Sequence, residues 1–185
     1  MTQFMPMPEI LTQNNEIGID YWVICDESDC YLFFTALNGK LYRARTAKTS
    51  FPSGFEGSVE IVIEESQFAL MTGCAVYQMA GTNQYLLLVE AFNGVGDYYR
   101  AWTADRLDGT WSPLAATESD AFASLGNLSG ADWPMNGIFQ GELLRASSDE
   151  TMTIDTCNLQ FLFTGRVDDN SDSYDHYSIG MLTAE

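Results

Sequence analysis

The sequence predicts an all-β chain built of propeller blades, and three observations predict it. Helical periodicity is weak along all 185 residues, whereas short apolar or aromatic runs bounded by Gly, Asn and Asp recur. Asn38-Gly39 and Asn93-Gly94 are strong hairpin signals, because both central positions of a tight hairpin turn tolerate positive φ there. Similar segments return at a spacing of about 50 residues, each a few antiparallel strands long, which is the period of propeller blades. Hairpins look alike in β-sandwiches too, so a sandwich is the alternative these runs leave open.

Taken in order, Met1 to Glu16 form a non-core N-terminal segment. It has no positive n-region and no continuous apolar h-region, so it does not read as a signal peptide. The domain runs from 17 to 185. It opens with Ile17 to Phe34, in which a lone acid, Asp20, stands before the strand Tyr21 to Ile24. Cys25 and Cys30 then close a short acidic loop, and a second strand leaves through Tyr31 to Phe34. Two cysteines at that spacing suit a disulfide better than a zinc site, for which no further ligands have the right spacing.

The run Tyr31 to Ala36 turns at Asn38-Gly39 and returns as Lys40 to Ala44. Thr46 to Gly57 reads as a loop, Val59 to Ile63 and Cys74 to Met79 as strands. Tyr85 to Phe92, Asn93-Gly94 and Asp97 to Trp102 repeat the first hairpin: Tyr31-Leu32-Phe33-Phe34 answers to Tyr85-Leu86-Leu87-Leu88, and Leu41-Tyr42-Arg43-Ala44 to Tyr98-Tyr99-Arg100-Ala101. A fainter third copy is Leu159 to Arg166, an acidic loop, and His176 to Thr183. Three blades are fewer than the usual smallest ring of about four, so the expectation is a partial propeller, completed by blades upstream or by association.

Composition excludes some functions. Eight Lys+Arg against 26 Asp+Glu give a formal charge of −18, which opposes binding to nucleic acid or to an anionic membrane. No apolar run approaches the roughly 20 residues of a membrane-spanning helix. A neutral polymer or a small molecule is the easier partner. The cysteines and the sequon Asn127-Leu128-Ser129 have an extracellular look.

Nucleophilic triads fail for want of histidine, since His176 is the only one, and no serine sits in a GxSxG elbow. Asp168 to Asp172 alternates oxygen ligands but lacks the glycine and glutamate of an EF-hand, so it reads as a solvated acidic loop. Carboxylates remain, and they suit glycoside hydrolysis, where one protonates the leaving oxygen and another activates water. Glu90, inside Leu86-Leu87-Leu88-Val89-Glu90-Ala91-Phe92, is a costly buried charge unless paired. A network with Arg100 is the favoured reading, a place in a site the alternative. Trp22 is expected to pack on a neighbouring blade. Cys74 and Cys157 either pair or remain thiols.

The segments IDYWVICDESDCYLFF, NGKLYRA, QYLLLVEAFNG, YYRAWTADRLDGTW, ATESDAFA, TMTIDTCNLQFLFTGR and GMLT, in that order, together resemble glycoside hydrolase family 62, the α-L-arabinofuranosidases. The resemblance covers about Ile17 to Thr183. It implies a secreted five-bladed propeller that removes arabinofuranosyl groups from arabinoxylan with inversion, using an aspartate base, a glutamate acid and a second aspartate that tunes the acid. Asp20 matches the tuning aspartate. The base belongs to the family's first blade, upstream of every segment matched here.

The acid falls where this chain has Met71-Thr72-Gly73, so Thr72 stands at the position of the glutamate, and a hydroxyl is far too weak an acid to replace it. The family has a histidine near a central calcium, and the corresponding step here is Gln140-Gly141-Glu142, so Gln140 in place of the histidine speaks against that calcium, and no other cofactor is implied. Trp133, Tyr174 and Tyr177 are candidate sugar-binding aromatics. The expected partner is arabinoxylan or another arabinose-containing polysaccharide. Three functions are therefore in view: an arabinofuranosidase by descent with impaired catalysis, a non-catalytic arabinoxylan-binding protein, and a secreted protein-interaction module.

Overall fold

The computed structural model describes residues 12–13, 16–55, 58–130, 136–167 and 177–184, with side chains from Gly18 onward. A two-stranded ribbon, β1 (Thr12–Gln13) with β2 (Glu16–Ile17), leads into three antiparallel sheets. The first sheet is β3 (Ile19–Cys25), β4 (Asp29–Thr35), β5 (Lys40–Ala47) and β6 (Glu60–Glu64), in chain order. The second is β7 (Thr72–Gln78), β8 (Tyr85–Phe92), β9 (Asp97–Ala104), β10 (Ser112–Thr117) and β11 (Asp120–Ala121). The third is β12 (Phe139–Leu143), β13 (Gln160–Arg166) and β14 (Tyr177–Thr183).

Each sheet is a propeller blade. Meandering order within a sheet, with the first strands β3, β7 and β12 lying beside one another, is the arrangement of blades around an axis. β4 and β8 follow from their sequences: every residue of Asp29–Thr35 is buried, and all of Tyr85–Phe92 but the last. A near-continuous apolar run with no polar alternation is what a strand covered on both faces requires. The Asn-Gly turns fall where expected, with Gly39 at φ +76° and Gly94 at φ +90°.

Blade contacts are specific. The Trp22 indole packs edge-on against Tyr77, ring centres 5.2 Å apart, and its Nε1 donates to the Val76 carbonyl at 2.8 Å. One blade on, the Tyr77 hydroxyl accepts from the Leu143 amide at 3.1 Å. At the opposite ends of the inner strands, Cys25 N donates to Glu150 O and Gln78 N to Thr151 O, so the 150–151 strap ties two blades together.

Several expectations are settled. Cys25 and Cys30 are disulfide-bonded, while Cys74 is a buried thiol and Cys157 an exposed one. The fourth strand of the first blade starts at Glu60, not Val59. Strands β10, β11 and β12 carry no signal in the apolar pattern. Ser-Pro-Leu-Ala-Ala-Thr places a proline beside a bulge on a largely exposed strand, and Phe-Gln-Gly-Glu-Leu has a mid-strand glycine because a Cβ at Gly141 would lie 2.1 Å from the Phe161 ring. Among the described residues no helix is long and apolar enough to cross a membrane.

Candidate active site

Each inner strand breaks register once near its start, and it does so by the same device. One extra residue is inserted between Ile19 and Trp22 opposite β4, between Thr72 and Cys74 opposite β8, and between Phe139 and Glu142 opposite β13. Each of these β-bulges contains a residue of positive φ: Asp20 at 52°, Gly73 at 39° and Gln140 at 46°. A bulge whose first residue is left-handed turns the strand and re-aims its side chain. Ile19, Thr72 and Phe139 are thus equivalent, and Asp20, Gly73 and Gln140 occupy the equivalent bulge positions of three successive blades.

The bulges bring together the residues the sequence singled out. The Asp20 Oδ2 accepts from the Gly73 amide at 3.0 Å, so the carboxylate of the first blade is aimed at the Thr72-Gly73 step of the second. Thr72 pairs across the sheet with Glu90. Glu90 is 3% exposed, and its Oε2 accepts from the Tyr99 hydroxyl at 2.9 Å and the Gln140 amide at 3.3 Å. The Tyr99 hydroxyl in turn accepts from the Gly141 amide at 2.5 Å. Gly73 must be glycine on two counts: its φ is positive, and a Cβ there would stand 2.9 Å from Glu90 Oε2. Glu90 therefore forms the floor beneath Gly73, with Asp20 on one side and Gln140 on the other.

Electrostatics mark Glu90 as an acid. Burial pushes its carboxyl up to about 7, the charges of Asp97 and Asp20 push the same way, and the hydrogen bonds from Tyr99 and Gln140 oppose them. Asp97, two residues before Tyr99 on β9, is pushed up to about 6 by burial, and its Oδ1 is buried with no hydrogen-bond partner among the described residues. A carboxyl at about 7, as in Glu90, is half protonated near neutral pH, the range in which a general acid works.

This corrects the expectation of a Glu90–Arg100 network. Glu90 lies opposite Tyr99, and Arg100 lies opposite Val89. Side chains alternate along a strand, so Arg100 turns to the other face, where it meets Glu65 at 2.9 Å and the carbonyls of Ala69 and Ala116. The alternative reading, a place in a site, is the one the geometry fits. Sequence reasoning singled out Glu90, a lone carboxylate in an apolar strand, but favoured the network over a place in a site.

Other candidates lie elsewhere. Tyr177 is on β14, the third strand of its blade, half exposed and edge-on to Phe139 at 5.4 Å. Trp133 and Tyr174 lie outside the described residues, as do Asp168 to Asp172. The calcium implied by the resemblance does not fit the described residues: Gln140 supplies a neutral amide where the family has histidine, and no group of three or more His, Cys, Asp or Glu converges to hold a metal among them. Asn127 of the sequon is exposed, but its amide nitrogen donates to the Ala121 carbonyl.

The model of glycosyl hydrolase family 62 matches residues 4–183. The chain is 41% identical to α-L-arabinofuranosidase C of Cellvibrio japonicus, over 89% of its own length and 27% of that protein. Its fold superposes on the catalytic domain of a Coprinopsis cinerea α-L-arabinofuranosidase with a TM-score of 0.86 and 36% identity, over 97% of this chain and 59% of that one. An α-L-arabinofuranosidase from Podospora anserina, solved in complex with cellotriose, gives a TM-score of 0.85 and 34% identity over 96% and 57%. A thermostable family-43 glycoside hydrolase shares the fold alone, with a TM-score of 0.63 at 14% identity. The chain spans under two thirds of the length of these relatives, and with most of its own residues matched to a single family model it belongs to glycosyl hydrolase family 62.

Proposed function

We propose that this chain is an arabinofuranosidase-type protein that recognises arabinose-decorated xylan outside the cell and hydrolyses it poorly. The observation that carries the reading is the aim of Asp20 at the Thr72-Gly73 step. By resemblance that aspartate tunes a glutamic acid at position 72, and the residue it addresses here is a threonine. Loss of a general acid costs roughly 10²–10⁴ in rate. What survives is the polar, strained mouth formed by three bulges, which can hold sugar hydroxyls without a glutamic acid at position 72.

One observation favours some residual hydrolysis. Glu90 lies directly across from Thr72 and is pushed up to about 7, so a carboxylic acid is still present one side chain away from the vacated position. Its burial keeps it from replacing Glu at 72 in full.

The test pairs two measurements on the same protein. Retention on insoluble wheat arabinoxylan, together with arabinose release at least about 100-fold below that of an intact family member, supports the reading. Release at the rate of an intact relative overturns the impairment, and absence of retention overturns the recognition.

A further inference from the structure

We infer that Gln140 is a sugar-binding residue, the wall opposite Asp20 in a notch floored by Thr72, Gly73 and Glu90. The inference rests on the reading of this site as a sugar site and adds a residue to it that the family resemblance does not supply.

The argument begins with backbone strain. Asp20 and Gln140 are non-glycine residues with φ of 52° and 46° at equivalent bulges on the first and third inner strands. Left-handed backbone costs a residue with a Cβ about 1–2 kcal/mol, and it persists only where neighbours over-determine it. For Gln140 the neighbours are identifiable. Glu90 Oε2 accepts its amide at 3.3 Å, Tyr99 accepts the next amide at 2.5 Å, and the Phe161 ring forbids any side chain at Gly141. Glycine would serve equally well for such pinning, as it does at Gly73. The chain instead carries a glutamine, whose side chain is exposed.

Position supplies the rest. Glu90 Oε2 lies against both the Gly73 position and the Gln140 amide, and Gly73 N is bonded to Asp20, so the three bulge residues are joined by short contacts through one carboxyl and one glycine. Glu90 excludes a Cβ at Gly73, so no side chain rises from that bulge between the two polar walls. One wall is a carboxylate that only accepts hydrogen bonds, and the other is an amide that both donates and accepts. That pair suits vicinal hydroxyls on a neutral sugar ring seated over Thr72, and it needs no metal between them.

The test uses isothermal titration of the full chain with an arabinose-decorated xylo-oligosaccharide and with undecorated xylotriose, alongside thermal unfolding. Gln140→Ala is expected to weaken the decorated ligand about 10-fold, the equivalent of one to two hydrogen bonds, and to change xylotriose binding less than 2-fold. Gln140→Gly is expected to lose the same affinity while raising Tm by about 2–4 °C, because it relieves the strain. A merely structural glutamine would not give that opposition of stability and affinity. Decorated-ligand affinity within 2-fold of wild type in both variants, or a fall in Tm for Gln140→Gly, overturns the assignment while leaving sugar recognition intact. No binding of either ligand by the wild-type chain overturns both.

Discussion

The Asp20 carboxylate and the Gly73 amide meet at 3.0 Å across 53 residues of sequence, and both partners have positive φ. The bond joins two blades at a place where a side chain on the second is excluded. Gly73→Ala forces a Cβ into the left-handed region and to within 2.9 Å of Glu90 Oε2, a buried atom already fixed by two donors. We expect a loss of roughly 1–3 kcal/mol, read as a lower midpoint in urea at unchanged slope. A variant as stable as wild type would show that the bulge can repack without the glycine.

Glu90 makes stability depend on pH in a stated direction. Its carboxyl sits at about 7 in the folded chain against an ordinary value of 4.5, so the folded state holds the proton more tightly than the unfolded one. Its contribution is most favourable below about 4.5, declines as pH rises from there to about 7, and is lost above it. For a buried group the span is roughly 3 kcal/mol. Groups such as Asp149, held down to about 2 by the hydroxyls of Ser147 and Thr151, act oppositely and lose their contribution as pH falls towards 2. Maximum stability is therefore expected in mildly acidic solution. Glu90→Gln keeps an acceptor for Tyr99 and Gln140 but carries no charge, and should flatten the decline between pH 4.5 and 7 in denaturation curves. An unchanged slope would assign the decline elsewhere.

Asp20 acts on the same group from the neighbouring blade. Its charge is one of the causes that raise Glu90, after burial and Asp97. Asp20→Asn keeps an oxygen for the Gly73 amide and removes the charge, so the Glu90 carboxyl should titrate lower than in wild type, with little change in Tm. Carbon-detected NMR of glutamate carboxyls would follow it. A Glu90 titration that does not move would mean that the two blades are electrostatically independent, and that the tuning role implied for Asp20 has no target left in this chain.

Much of this was legible in the sequence, for physical reasons that also explain the remainder. Strands buried on both faces declare themselves as apolar runs, which is why β4 and β8 and their Asn-Gly turns lie where expected. The Cys25–Cys30 loop needs only short spacing, and Trp22 is large enough that a neighbouring blade was its natural cover. The bulges were not legible. A single inserted residue leaves no compositional trace when its left-handed position holds Asp or Gln, and only Gly73 carries the usual mark. For the same reason β12, with Gln140 and Gly141 at its start, did not read as a strand. Glu90 was visible but assigned to Arg100, its neighbour on the sheet by one residue and therefore on the opposite face.

Two tryptophans allow the blade contact to be weighed against simple burial. Trp22 Nε1 donates to the Val76 carbonyl at 2.8 Å across the first blade boundary, whereas the Trp111 Nε1 is buried with no partner among the described residues, its ring edge-on to Phe33 at 6.0 Å. Phenylalanine at either position keeps an aromatic ring and removes the N–H. At position 22 the change deletes a hydrogen bond and leaves a carbonyl deprived of its donor between blades, a cost of about 1–3 kcal/mol. At position 111 it deletes a donor that had no acceptor, which refunds a desolvation penalty against the lost ring volume and should leave stability within about 1 kcal/mol of wild type. Thermal unfolding of Trp22→Phe and Trp111→Phe side by side checks this, at about 2–4 °C per kcal/mol for a chain of this size. Equal losses would mean that ring volume governs both sites and that the bond to Val76 adds nothing to the joint between the blades.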